Sequence, residues 1–303
     1  MPESRDRTAP AECDEELRRR LRLHARTRAL ADGRLTAIDG GLSNRAWRVD
    51  LGGETWFARL GPPDAALLGA DRESECRLLV AVSDAGIAPA VFECDPARGL
   101  LVTRFVDGRT WRREDALQPE NLRKIGRAFT ELHALPVPAG VREISFQRQA
   151  YRLGSMLPGG DRLATELAQR AARAWERMAG SARVHVLCHN DVHHLNVLDD
   201  GARVWLVDWE YGGRGDPLMD VAGFLAMHEA GPGETSVLMS AYEGPGRADP
   251  AVLDVARWLF DYVQWLWYRS RFAAGPGPAE EVSERLARRL VRCNNPGLER
   301  GSG

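Results

Sequence analysis

The pattern of apolar and polar positions changes character near residue 106. Before it, short alternating runs predict strands at 35–39, 46–51 and 55–60, with Gly52-Gly53 turning the second into the third. Residues 12–30, with Leu17, Leu21 and Leu23 among arginines, predict a short edge helix. Residues 71–85 predict a helix capped by Asp71. Strands at 91–94 and 100–104 follow, joined across Asp95–Gly99. After Gly108 the spacing turns helical. Residues 119–135 carry Leu122, Ile125, Phe129 and Leu132 on one face and stop at Pro136 and Pro138. A helix at 162–178 precedes a strand at 184–187. Asn196–Leu198 and Val204–Val207 then form a hairpin around Asp199-Asp200-Gly201. Helices at 218–229, capped by Asp216, and at 255–272 complete the pattern. Strands first and helices afterwards indicate an α+β chain of two lobes, 1–106 (with 1–33 as an N-terminal extension) and 107–303.

Composition narrows the class of protein. A chain of 303 residues can bury a substantial core. Its formal net charge of −2 is spread along the sequence and gives no footing for a nucleic-acid partner. No apolar run approaches membrane-spanning length and no signal peptide is evident, so a cytoplasmic protein is expected. Five cysteines without a C-x-x-C pair read as small buried apolar residues in a reducing compartment. Oligomeric state is not legible.

Chemistry concentrates between Leu187 and Asp208. Asp191 stands five residues before Asn196, and the hairpin returns the chain to Asp208. Two carboxylates and an amide are all-oxygen donors, which suit Mg2+ better than zinc. Asp191 can orient a hydroxyl and accept its proton, while Asn196 and Asp208 can hold the cation. The neighbouring His185, His189, His193 and His194 raise a zinc alternative. It is disfavoured because His189 and His193 would share a face only on a helix, and strands flank this segment.

H-N-D-V-H-H-L-N-V-L followed by V-D-W-E-Y-G-G-R-G-D-P-L-M-D resembles the signature of the choline/ethanolamine kinase, thiamine kinase and aminoglycoside phosphotransferase superfamily. The likeness runs more weakly from about residue 40 to 272. It implies a bilobal protein-kinase-like fold and transfer of phosphate from ATP, with Mg2+, to a small alcohol. By the same resemblance the G-G-x-[ST]-N loop, with Gly41, Ser43 and Asn44, would approach the phosphates. Arg59 takes the place of the strand lysine of protein kinases, and Glu75, with Glu73 as competitor, looks like its ion-pair partner. Lys124, the chain's single lysine, lies too late to serve. Backbone groups around Arg104 to Val106 resemble the adenine-binding hinge, and His189 would brace the catalytic loop. Asp220 matches a family aspartate that holds that loop, and equally suits a first-turn helix acid.

The window 255–272 is the most aromatic of the chain. Trp258, Tyr262, Trp265, Arg269 and Phe272 share one helical face, while Trp267 and Tyr268 lie elsewhere; Asp261 and Glu210 supply acids. A core stripe explains this as well as a pocket does. The family lines its alcohol site from this helix, so Glu210, Asp261, Trp265, Trp267 and Tyr268 are the substrate candidates, for a choline- or ethanolamine-like cation. A thiamine kinase, an aminoglycoside kinase and a nucleotide-binding pseudokinase are the alternatives.

Overall fold

The structure is a computed structural model and describes residues 10–38, 44–62, 71–179, 184–271 and 278–292. The chain forms two compact units. One comprises residues 1–109, 138–141 and 198–211; the other comprises 110–137, 142–197 and 212–303.

The first unit is built on five antiparallel strands: β1 (Arg34–Ile38), β2 (Arg45–Leu51), β3 (Glu54–Leu60), β4 (Val91–Asp95) and β5 (Leu100–Arg104), in the order β1-β2-β3-β5-β4. Gly52 and Gly53 both take positive φ, which lets the β2–β3 turn close without strain. Strand alternation sorts the side chains. Trp47, Val49, Trp56, Ala58, Leu100 and Val102 make one core with Leu17 and Leu21 of helix α1 (Pro10–Leu21). Arg59, next to Ala58, therefore points to the opposite face. Helix α2 (Arg72–Asp84) begins where Asp71 accepts the Ser74 amide, and buries Glu75, Leu78, Leu79 and Val82 at helical spacing. The helix expected at 12–30 stops at Leu21, where the buried Thr27 hydroxyl donates to the Leu21 carbonyl and turns the chain away.

The cysteine expectation needs correction. Cys76 of α2 and Cys94 of β4 are joined as a disulfide, with Cα atoms 5.8 Å apart. The fold brings together residues that no local sequence pattern links. Cys188 is buried and not in a disulfide, the Cys13 sulfur accepts from Arg45, and Cys293 lies outside the described residues.

Past the short β6 (Arg109–Thr110), the second unit is mainly helical: α3 (Arg113–Ala116), α4 (Pro119–His133), α5 (Phe146–Gly154) and α6 (Arg162–Ala179). Strand β7 (Val186–Cys188) follows, then the hairpin β8 (Val197–Asp199) and β9 (Val204–Leu206), of which 198–211 group with the first unit. Strand β10 (Gly213–Gly215) pairs antiparallel with β7. Four helices close the chain: α7 (Pro217–Met227), α8 (Pro232–Ala241), α9 (Pro250–Arg271) and α10 (Pro278–Arg292). The long α9 is the axis of this unit, touching α5, α6, α7 and α10. At its closest approach a Cβ on Gly223 would lie 2.6 Å from the Phe260 ring, so only glycine admits this crossing. Among the described residues no helix is long and apolar enough to cross a membrane.

Candidate active site

In the first unit the site is a chain of charges. Arg59 donates to Glu75 (Nη2–Oε1, 2.7 Å) and to Asp208 (Nη1–Oδ1, 3.1 Å). The second Glu75 oxygen takes Arg72 at 2.7 Å. Arg72 in turn donates to Glu210 (3.2 Å) and to the Asn44 side-chain oxygen (2.8 Å), while the Asn44 amide donates to Glu210 at 3.2 Å. Glu75, 2 % exposed, is the partner that Arg59 takes; Glu73 pairs with Arg77 at the surface.

Burial and charge set opposite directions within this group. Burial pushes the Glu75 carboxyl up, but Arg59 and Arg72 outweigh it and hold it below the usual range. Asp208 and Glu210 go the other way. Asp208, although 38 % of its side chain is exposed, is raised by the part that is buried, with Glu75 adding to it against Arg59; burial and Asp208 together raise Glu210 against Arg72. Raised and still partly exposed, Asp208 is the carboxyl of this group left open to added positive charge. Asp208 also holds a left-handed backbone, φ 62°, uncommon for a residue with a side chain.

The hinge-like stretch has its backbone largely engaged. The Arg104 amide donates to Ala90, the Phe105 amide to Thr55, and the Val106 carbonyl accepts from Gly108. The Arg104 side chain lies 3.8 Å over the Trp56 ring. A cavity of about 300 Å³ adjoins this stretch, lined by Pro89, Phe105, Val106 and Trp205 among others. Gly41 and Ser43 lie outside the described residues.

In the second unit the loop after β7 carries Asp191. Its geometry is fixed from below by Asp220, 2 % exposed, whose carboxylate accepts the amides of His189 (2.9 Å) and Asn190 (2.5 Å) and faces His133 Nε2 at 3.1 Å. The Gly246 amide donates to the Tyr242 hydroxyl, which leaves that hydroxyl to donate to His133 Nδ1 at 2.8 Å. The ring proton then sits on Nε2, aimed at Asp220. This rigid base holds Asn190 left-handed at φ 66° and presents Asp191 from the next position. His189 is fully buried. The Asn196 amide nitrogen donates to the Asp191 carbonyl at 2.9 Å and reaches its carboxylate at 3.4 Å, which turns the amide oxygen the other way. The segment 189–193 is not helical, so His189 and His193 share no helical face for a metal.

The substrate candidates separate into two groups. Trp265, 1 % exposed, stacks on Tyr262, which stacks on Trp258, in the interior of the unit. Asp261 is taken by Arg289 of α10 through both carboxylate oxygens, one of them at 2.6 Å. Glu210 carries Arg72 and Asn44 as partners in the first unit. Trp267 and Tyr268 keep part of their surface and meet edge to face at 5.0 Å. Burial raises the Tyr268 phenol, and the negative charge of Asp191 adds to it. Sequence reasoning passed over Arg72, although its spacing three residues before Glu75 was a usable signal. It also could not foresee Arg289, which comes from a helix that was not anticipated.

Residues 34–256 match the phosphotransferase enzyme family, and the chain belongs to it. Among solved structures it is similar to a choline/ethanolamine kinase family protein from Mesorhizobium loti, with a TM-score of 0.75 at 23% identity over 95% of this chain and 99% of that one. It is also similar to choline kinase LicA from Streptococcus pneumoniae, with a TM-score of 0.72 at 18% identity over 86% and 93%. A spectinomycin phosphotransferase in complex with ADP and spectinomycin aligns with a TM-score of 0.56 at 15% identity over 87% and 93%. No curated protein matches the sequence. The fold is thus the protein-kinase-like α+β fold of these enzymes, and the chain is a small-molecule phosphotransferase.

Proposed function

We propose that the protein transfers phosphate from ATP, with Mg2+, to the hydroxyl of a small cationic alcohol of the choline or ethanolamine kind. The observation that carries the substrate class is the pair Trp267 and Tyr268, partly open and edge to face, with the Tyr268 phenol in the field of Asp191. A cation beside these rings would meet π-faces and one carboxylate together. Asp261 and Glu210 are already matched by arginines. That is a poor lining for a polycation and disfavours the aminoglycoside reading.

Asp191 orients the acceptor hydroxyl and takes its proton as the phosphate transfers. Each unit carries an oxygen donor of the kind Mg2+ prefers, Asp208 in the first and Asn196 in the second, and the raised Asp208 carboxyl fits a site awaiting positive charge. The ion would supply neutralisation of the phosphate charge. Arg59 steadies the phosphates, its own position fixed by Glu75.

ATP consumption measured across choline, ethanolamine, thiamine and an aminoglycoside tests this reading. Choline or ethanolamine should be preferred, and Asp191→Asn should remove ~100- to 10,000-fold of turnover while ATP binding persists. A choline isostere with carbon in place of nitrogen should lose roughly thirtyfold in kcat/KM. Trp267→Leu and Tyr268→Leu should reduce that discrimination. If both keep it in full, these rings recognise no cation; if no alcohol drives ATP consumption, the kinase reading falls.

A further inference from the structure

The charge network contains one group that this mechanism leaves without a task. Arg72 lies at the first turn of α2, its side chain 10 % exposed, and joins three residues distant in sequence: Asn44 leading into β2, Glu75 on its own helix and Glu210 beyond the β8–β9 hairpin. We propose that Arg72 is a positioning residue for the phosphates of the nucleotide, an inference resting on the kinase reading above.

Two effects support it. The first is charge. Glu75 gives one oxygen to Arg59 and the other to Arg72, so its charge is divided between two cations. Without Arg72, Glu75, Asp208 and Glu210 would face Arg59 as the remaining guanidinium of the network. Its positive field would then be spent on protein carboxylates instead of phosphate oxygens. The second is geometry. The Asn44 oxygen accepts from Arg72 while its amide donates to Glu210, so the guanidinium sets both the place and the flip of this side chain. A planar fork serves three acceptors at fixed angles, which an ammonium does only in part. The Arg72 Nε–H is buried with no hydrogen-bond acceptor among the described residues, in keeping with a group held for its charge and shape.

The test compares ATP and adenosine, which share the base and sugar and differ in phosphates. Binding of both to the full-length protein is measured by titration calorimetry, with kinetics alongside and folding checked by thermal melting. Arg72→Gln should weaken ATP about tenfold or more. Adenosine affinity should stay within about twofold, and KM for ATP should rise by a larger factor than kcat falls. Arg72→Lys should recover part of the loss. Asn44→Ala should shift ATP in the same direction, and its effect should not add to that of Arg72→Gln. Should Arg72→Gln fail to fold, Arg72→Lys and Asn44→Ala carry the same comparison. Equal weakening of ATP and adenosine, or an unchanged ATP affinity, would overturn the proposal while leaving the kinase reading intact. A wild-type protein that binds no ATP overturns both.

Discussion

Asp220→Asn is the substitution that most directly tests how the loop bearing Asp191 is held. The carboxylate accepts two backbone amides and a histidine N–H with almost no exposure to solvent. An asparagine of the same shape has one acceptor oxygen. It can keep one amide, but its NH2 group must then face the other, donor against donor. With the oxygen on the side where the His189 amide and His133 Nε2 both donate, those two bonds persist and the Asn190 amide is stranded; in the other flip His133 could adapt by moving its proton to Nδ1 and accepting from the new amide. That would cost the bond it accepts from Tyr242, whose hydroxyl already takes the Gly246 amide. Each lost hydrogen bond to a charged group is worth ~1.5–3 kcal/mol, and a stranded buried donor ~1–3. In the better flip, with the bond to Asn190 lost and its amide stranded, a loss of about 4 kcal/mol is expected, a large share of a typical total near 10. Turnover should fall as well, at temperatures where the variant is still folded, because Asn190 would lose the support for its left-handed backbone. Urea unfolding followed by fluorescence gives the first quantity, and ATP consumption the second. A variant within about 1 kcal/mol of wild type and with unchanged turnover would refute this account of the loop.

Two further outcomes follow from buried groups elsewhere. His228, buried and close to His194 and Arg113, has its pKa lowered to about 4, burial being the main cause. The unfolded chain therefore takes up a proton that the native state refuses, so stability is full above about pH 6.5 and drains as the pH falls towards 4. At about 1.4 kcal/mol per pH unit the loss is about 3 kcal/mol; unfolding free energies against pH should show it, and His228→Gln should make the slope shallower, with His193, lowered to about 3, supplying what remains. The Cys76–Cys94 link closes a loop of sequence separation 18, for which the chain-entropy account gives ~3 kcal/mol. Reduction or Cys76→Ser should lower the melting temperature, and thiol labelling in denaturant should gain both sulfurs only after reduction.

What the sequence made legible was whatever rests on local periodicity or on a compact motif. The five strands, α2 with its Asp71 cap, α4, and the Asp191, Asn196 and Asp208 spacing all lie within windows of about twenty residues. Helices α5, α8 and α10 were not anticipated. In α5 the buried positions Phe146, Ala150 and Leu153 are few and sit among arginines, which weakens the signal. Partner choice is a long-range property, and apart from the Arg59–Glu75 pair implied by the family resemblance the sequence was mute. Nothing local says that Asp261 faces Arg289, that Arg72 spans from Asn44 to Glu210, or that Cys76 meets Cys94. The aromatic helix shows the same limit at finer grain. Its composition suggested a pocket, but α9 turns Trp258, Tyr262 and Trp265 inward and leaves Trp267 and Tyr268 partly open. Rotation about a helix axis is set by packing against α5, α6, α7 and α10, not by the window itself.

Backbone strain gives a second route to the same residues. Among described residues with side chains, only Asn190, Asp208 and Glu229 have positive φ. Two of the three adjoin or are the residues that the motif singles out. Such conformations cost ~1–3 kcal/mol and persist only where the surroundings over-determine them. The surroundings do so separately in each unit. Asp220 grips the amide of Asn190 and that of the residue before it. Asp208 is gripped through its side chain by Arg59, and the next residue is pinned by the Trp209 indole donating to the Leu206 carbonyl at 2.9 Å. The buried charges that would weaken an ordinary core are here the means of keeping two strained carboxylate-bearing loops in place. Position in each of these loops is therefore enforced by electrostatics, and removing one charge should move that loop rather than merely soften the fold.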